Sequence, residues 1–130
     1  MSFLEDIAAS LNSSGVGVYP GTSSTRTIYI GEMPDAPDAL VCLYARPGRH
    51  PDLRNDARHP ELHVEVRAAT YSAAQAKMES VRSALIAIQN QELSGRYYMH
   101  VYPLGEPCKL EVDGRNRTIF YGNFEVWTES

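Results

Sequence analysis

The sequence predicts an α+β fold: a mostly antiparallel, mixed sheet with a long second helix packed on one face, in the order α-β-β-loop-β-α-β-β-β. Three observations predict it. Two stretches carry apolar residues at helical spacing, near the N-terminus and over residues 74–88. Strand-like runs outnumber them and cluster toward both ends. Residues Glu61 to Ala68 alternate apolar and polar without a break, the pattern of a sheet strand with one dry and one wet face.

The elements follow in order. Ser2-Phe3-Leu4-Glu5 reads as a capping box, with Ser2 as N-cap and Glu5 reaching back to it. Leu4, Ile7, Ala8 and Leu11 then form one apolar stripe, and Asn12-Ser13-Ser14-Gly15 ends it. Tyr19-Pro20-Gly21 is a turn, and Arg26 to Gly31 is a strand rich in β-branched and aromatic residues. Residues 33–38 hold two prolines and so suit neither a helix nor a central strand. Ala39 to Ala45 is nearly all apolar and reads as a strand buried on both faces.

Residues 46–60 break the pattern. They hold three prolines, lack apolar periodicity and read as a long Arg/Pro-rich loop. An irregular stretch of about 15 residues is uncommon inside a compact domain and is usually functional. Arg46, Arg49, Arg54 and Arg58 stand there against Asp52 and Asp56, a balance of +2. With −4 overall, the rest of the chain carries −6.

In the next strand Leu62, Val64, Val66 and Ala68 point one way, and Glu61, His63, Glu65 and Arg67 the other. Ser72-Ala73-Ala74-Gln75 reads as a second capping box. Ala74, Met78, Val81, Leu85 and Ile88 follow at steps of four, three, four and three. They predict a helix about 25 Å long at the usual rise. Arg96 to Tyr102, Cys108 to Val112 and Arg117 to Thr128 are the closing strands. Asp113-Gly114 offers a tight hairpin turn, and Gly122 marks a bulge.

The 130 residues, 43% of them hydrophobic, fit one domain spanning 1–130. No apolar run approaches the roughly 20 residues of a membrane helix, and the N-terminus lacks the basic region of a signal peptide. The two cysteines, Cys42 and Cys108, read as reduced, half-buried thiols. A net charge of −4 disfavours a protein that coats nucleic acid, and suits a wall that DNA slides past.

No nucleotide-binding, hydrolase or metalloprotease motif is present. A zinc site can be drawn from Cys42, His50, His59 and His63, but the spacings match no common template. The carboxylate pairs Glu61/Glu65 and Asp52/Asp56 lack a nucleophile or metal partner and read as a solvated face. The expectation is therefore no catalytic residue, no cofactor and no metal.

The arginine-rich loop reads instead as an arm toward a neighbouring subunit. Its guanidinium groups can pair with the acids that dominate the rest of the chain, a head-to-tail contact of the kind that closes a ring. The candidate contact residues are Arg46, Arg49, His50, Arg54, Arg58, Glu61, Glu65 and Arg67. Eight tyrosines against three phenylalanines lean the same way.

Two stretches resemble a known family. One is His59-Pro60-Glu61-Leu62-His63-Val64-Glu65-Val66-Arg67, followed by Tyr71 and the helix from Ala74 to Ile88. The other runs from Pro107 through Asp113 and Arg117 to Gly122-Asn123-Phe124-Glu125-Val126. Both resemble the minor capsid and tail-terminator family of long-tailed bacteriophages, the group that includes the lambda tail terminator. The resemblance implies a sheet packed on helices and a hexameric ring at the head-proximal end of the tail tube. Such a ring stops tube polymerisation and offers a surface to the head-tail connector. The partners implied are the chain itself, the tail-tube protein and the connector protein, with DNA only as passing cargo and no membrane. The location implied is the host cytoplasm during assembly and then the virion. The family has no catalytic residues to transfer. Another neck or head-completion protein is the nearest alternative; a small adaptor domain or a dispersed-site hydrolase is the alternative of a different class.

Overall fold

The computed structural model describes residues 3–20, 25–52 and 57–129. The elements are α1 (Phe3–Ser13), β1 (Ile28–Ile30), β2 (Leu40–Arg49), β3 (Ala57–Ala68), α2 (Tyr71–Ile86), β4 (Gln89–Leu93), β5 (Arg96–Pro103), β6 (Cys108–Val112) and β7 (Thr118–Glu129). Among the described residues, the seven strands form one sheet in the order β1-β2-β3-β7-β5-β4, and β6 also pairs with β7. β1 runs parallel to β2, and every other pairing is antiparallel. β5 faces residues 124–128 of β7 and β6 faces 118–121, so the two share one flank of this central strand.

The periodicities place the core. The stripe Leu4, Ile7, Ala8 and Leu11 is buried, as is the stripe Ala74, Met78, Val81, Leu85 and Ile88. Both stripes join one cluster with Val41, Leu43, Leu62, Val64, Val66, Phe120, Phe124 and Val126. These strand residues alternate along their chains and are register partners across them, Leu43 with Val64 and Leu62 with Phe124 for example. Both helices therefore cover one face of the sheet. Each fully buried side chain of this kind contributes about 1.5–3 kcal/mol relative to exposure. No helix among the described residues is long and apolar enough to cross a membrane.

Several expectations need correction. Within 46–60 the described residues are largely paired strand rather than loop: β2 runs on to Arg49, β3 begins at Ala57, and Arg49 pairs with His59, while residues 53–56 lie outside the described residues. The register shifts between Arg46 and Arg49, so Pro47 and Gly48 sit in a bulge opposite Pro60, where the missing proline donors cost least. Helix α2 is capped by Thr70, whose hydroxyl accepts from Ala73 N at 3.1 Å, not by Ser72. The cap proposed at Ser2 lies outside the described residues. A strand was missed: Gln89–Leu93 pairs with β5 through the tight turn Ser94-Gly95, both at positive φ. Gly122 lies in regular register opposite Val64, and its missing side chain leaves room for the Phe124 ring and Pro107. The β6–β7 connection is wider than a two-residue turn. Its left-handed residue is Asn116, and Asp113 Oδ1 accepts from the amides of Arg115 and Arg117.

The proline-rich segment before β2 is fastened by two buried arginines. Arg67 donates to the carbonyl oxygens of Asp35, Pro37 and Asp38 at 3.0, 2.6 and 3.1 Å. Arg117 binds Asp113 Oδ2 at 2.8 Å, Asp38 Oδ1 at 3.0 Å, and both Oδ1 and the carbonyl of Asp35. A segment with two prolines cannot pair fully in a ladder, so these guanidinium donors satisfy carbonyls that a strand would otherwise satisfy. Burial and the neighbouring Arg117 lower the Arg67 pKa; burial also opposes the charge on Arg117, but the three aspartates outweigh it and raise the pKa.

Candidate functional site

The second face of the sheet carries a polar and aromatic array, and strand register assembles it in rows. Cys42, Glu65, Tyr121 and Cys108 form one row across β2, β3, β7 and β6. Tyr44, His63 and Asn123 form the next. Arg46, Glu61, Glu125 and Tyr102 form a third. Beyond it Arg49, His59, Trp127 and His100 meet near the base of the β2–β3 hairpin. Along β7 these residues alternate with the buried Phe120, Phe124 and Val126, so the same period-2 pattern that fills the core also builds this face.

Glu125 is the hub of the third row. Its Oε1 accepts from Tyr102 Oη at 2.8 Å and Trp127 Nε1 at 2.6 Å, and its Oε2 lies 3.4 Å from Arg49 Nε. The Arg49 guanidinium also lies 5.1 Å from the Trp127 ring centre. Burial pushes the Glu125 carboxyl up, but the hydrogen bonds from Tyr102, Trp127 and Arg49 outweigh it and hold the group below its usual value. The bond to Glu125, with some burial, raises the Tyr102 phenol in turn. In the second row, the His63 ring nitrogens lie 2.7 Å from Asn123 Oδ1 and 2.9 Å from Glu65 Oε2, and the ring packs between Tyr44 and Tyr121.

The face offers hydrogen-bond donors and acceptors, paired charges and aromatic rings. Burial pushes the Cys42 thiol up, with Glu65 adding to the effect, and burial with the Cys42 contact raises the Tyr44 phenol. Neither group is therefore primed as a nucleophile. The depression between Tyr44, Arg46, His63 and Glu65 is open and holds about 290 Å³. Among the described residues, no three His, Cys, Asp or Glu side chains converge as metal ligands. Cys42 is buried, Cys108 is exposed, and two strands separate them.

The candidate contact residues divide. Arg46, Glu61 and Glu65 stand on the array, with Arg46 Nε 3.9 Å from Glu61. Arg49 reaches back to Glu125 yet stays 45% exposed. His50 and Arg58 are exposed at the end of the hairpin. Arg54 lies outside the described residues. Arg67, placed by alternation on this face, is only 3% exposed and spends its donors on its own chain's proline-rich segment. Sequence reasoning missed Glu125, Trp127 and Tyr102. The alternation of Tyr121, Asn123, Glu125 and Trp127 against Phe120, Phe124 and Val126 was the signal that could have found the first two.

Comparison with known proteins bears on this face. No curated protein sequence matches the chain. Among solved structures, a chain from the virion of a native gene transfer agent particle aligns over 95% of this chain and 84% of its own, with a TM-score of 0.63 and 16% identity. A second solved chain aligns over 100% of this chain and 97% of its own, with a TM-score of 0.53 and 13% identity. At such identities the likeness is one of fold. The model of the bacteriophage tail terminator protein family matches residues 10–129. That match covers the α2 core stripe, both strands of the hairpin and the whole array, and the chain belongs to the bacteriophage tail terminator protein family.

Proposed function

We propose that this chain is a structural component of a phage particle that closes the tail tube at its head-proximal end. In this reading several copies, six by the family resemblance, form a ring. One ring face is complementary to the last layer of tube protein. The other cannot accept a further tube subunit, so polymerisation stops there, and it meets the head-tail connector. DNA crosses the lumen as cargo. The chain assembles in the host cytoplasm and ends in the virion. The observation that carries the reading is the family match over residues 10–129. The sheet face without helix cover supports it, since its half-buried tyrosines, tryptophan and paired charges suit a protein contact better than water alone. Arg46, Arg49, His50, Arg58, Glu61 and Glu65 are the contact residues in this proposal, with Arg54 added from the sequence. Arg67 is withdrawn because its donors are taken. Contacts of this kind bury on the order of 2,000 Å².

The test uses purified tail-tube protein polymerising with and without this chain. Electron microscopy should show tubes capped at one end and halted in length. Tubes that grow equally long, or a labelled chain found away from the head-proximal end, would reject the proposal and favour another neck position.

A further inference from the structure

Asp6 is a polar residue inside an apolar stripe. It is 2% exposed. Its Oδ2 accepts from the Tyr98 phenol at 2.6 Å, whereas Oδ1 is buried with no hydrogen-bond partner among the described residues. A buried carboxylate oxygen left without a donor is costly. Asp6 lines a cleft of about 410 Å³ formed with Glu92, Arg96, Glu129 and the Ser94-Gly95 turn. Three carboxylates thus face one guanidinium, an excess of negative charge at the edge of the sheet. A second cleft shares Asp6, Glu92 and Ser94 with the first.

We propose that this cleft receives an arginine from the β2–β3 hairpin of a second copy, as the head-to-tail contact of the ring. The proposal rests on the ring reading above. Register places the two patches at one end of the sheet: Ala57 lies opposite Glu129, Arg58 opposite Thr128, and Leu93 opposite Arg96. Strand order sets Glu92 on the edge strand β4, two strands beyond β7, whereas Glu129 on β7 lies next to the donor strand β3, and Arg58 and Arg96 line one shared depression. Three strand spacings separate β3 from β4, about 15 Å. A positive hairpin end and an acidic cleft that reaches the far sheet edge at β4 let each copy give to one neighbour and receive from the other.

The donor side is available. Arg58 is exposed, and Arg46 is 51% exposed, lying 3.9 Å from Glu61 and 3.4 Å from His63 Nδ1. The acceptor side favours guanidinium over a metal ion. The carboxylates do not converge as metal ligands, whereas a planar fork can donate to two separated acceptors at once.

The experiment is a charge-swap mixing test read by native mass measurement and electron microscopy, in solution and on tail tubes. One variant carries Arg46→Glu with Arg58→Glu; the other carries Glu92→Lys with Glu129→Lys. All four positions are exposed, so each chain should still unfold cooperatively in urea, with a small drop in midpoint for Arg46→Glu from the like charge placed beside Glu61. Each variant alone should lose the ring. An equal mixture should regain it, because alternating copies restore both signs at every contact. Asp6→Asn should raise the thermal midpoint of the free monomer and weaken the ring, whereas a purely structural Asp6 would lower the midpoint. Rings formed by either variant alone, or a folded mixture that stays monomeric beside ring-forming wild type, would overturn the contact and leave the ring reading standing. Wild type that neither forms rings nor caps tubes would overturn both.

Discussion

Replacing Gly48 with alanine tests the largest departure of the structure from the sequence pattern, the paired hairpin in place of a loop. Gly48 has φ +67°, and a Cβ there would meet backbone atoms of the facing strand, with Glu61 N at 2.8 Å and Pro60 C at 2.9 Å. Gly95 supplies the control: its φ is +84°, but nothing lies within 4 Å of its Cβ position. An L-residue in left-handed backbone is strained by about 1–2 kcal/mol. Alanine also stiffens the unfolded chain, which returns about 0.4–1 kcal/mol. Gly95→Ala should therefore lose about 0.5–1 kcal/mol. Gly48→Ala carries the same terms plus an overpacking cost of about 1–3 kcal/mol, since the clashing atoms are backbone and have no other rotamer. Its total loss should be about 1.5–4 kcal/mol. Urea unfolding of both variants, extrapolated with a shared slope, measures the difference. Amide exchange at Arg49 should also quicken in Gly48→Ala alone. Equal losses for the two variants would mean that β2 and β3 are not paired beyond Arg46, and the hairpin would have to be given up.

Three smaller expectations follow from the same geometry. Thr70→Ala should destabilise the chain by about 1 kcal/mol through loss of the cap, whereas Ser72→Ala should stay within about 0.5 kcal/mol; the reverse ranking would restore the cap at Ser72. Glu125 has a lowered folded pKa, so its contribution is full above the unfolded carboxyl value of about 4.3 and is lost as pH falls through the folded value. Glu125→Gln should accordingly flatten the acid side of the stability curve relative to wild type, and an unchanged curve would remove Glu125 as the hub of the array. Arg117→Met should speed amide exchange across residues 33–38, and Arg115→Met should not. Arg115 pairs with Asp35 at the surface, both side chains being more than 60% exposed, whereas Arg117 is 7% exposed.

What was legible in the sequence was whatever repeats locally. The stripe from Ala74 to Ile88 and the alternation from Glu61 to Ala68 each reflect one buried face, and a buried face writes its period into neighbouring residues. β4 escaped notice because an edge strand buries little: Gln89 to Leu93 has no apolar partner rows to encode, and only the Ser94-Gly95 turn betrays it. The hairpin escaped for a related reason. β1 pairs with β2 only as far as Leu43, so beyond that residue one side of β2 is free and Pro47 can lack a donor without breaking a ladder. Prolines that read as loop residues were thus compatible with a strand whose outer edge needs no partner.

The candidate site shows the same limit from the other side. Alternation correctly put Arg46, Glu61, Glu65 and Arg67 on one face, but it could not say that a segment thirty residues earlier folds over Arg67. Nor could it say that Arg117, fifty residues later, completes the same clasp. Several residues that carry the family resemblance turn out to be framework. Arg67, Asp113 and Arg117 fasten residues 35–38, Tyr71 packs edge-to-face against Phe120 with ring centres 4.9 Å apart, and Gly122 makes room for Phe124. Such a pattern marks a fold because each member satisfies a partner inside its own chain. For the same reason it is silent about neighbours. In the proposed contact, the residues that reach another copy are Arg46, Arg58, Glu92 and Glu129, and these lie outside the pattern or at its margin. Assembly specificity in this chain should therefore follow surplus charge at the sheet's ends, and the framework arginines should affect assembly only through folding.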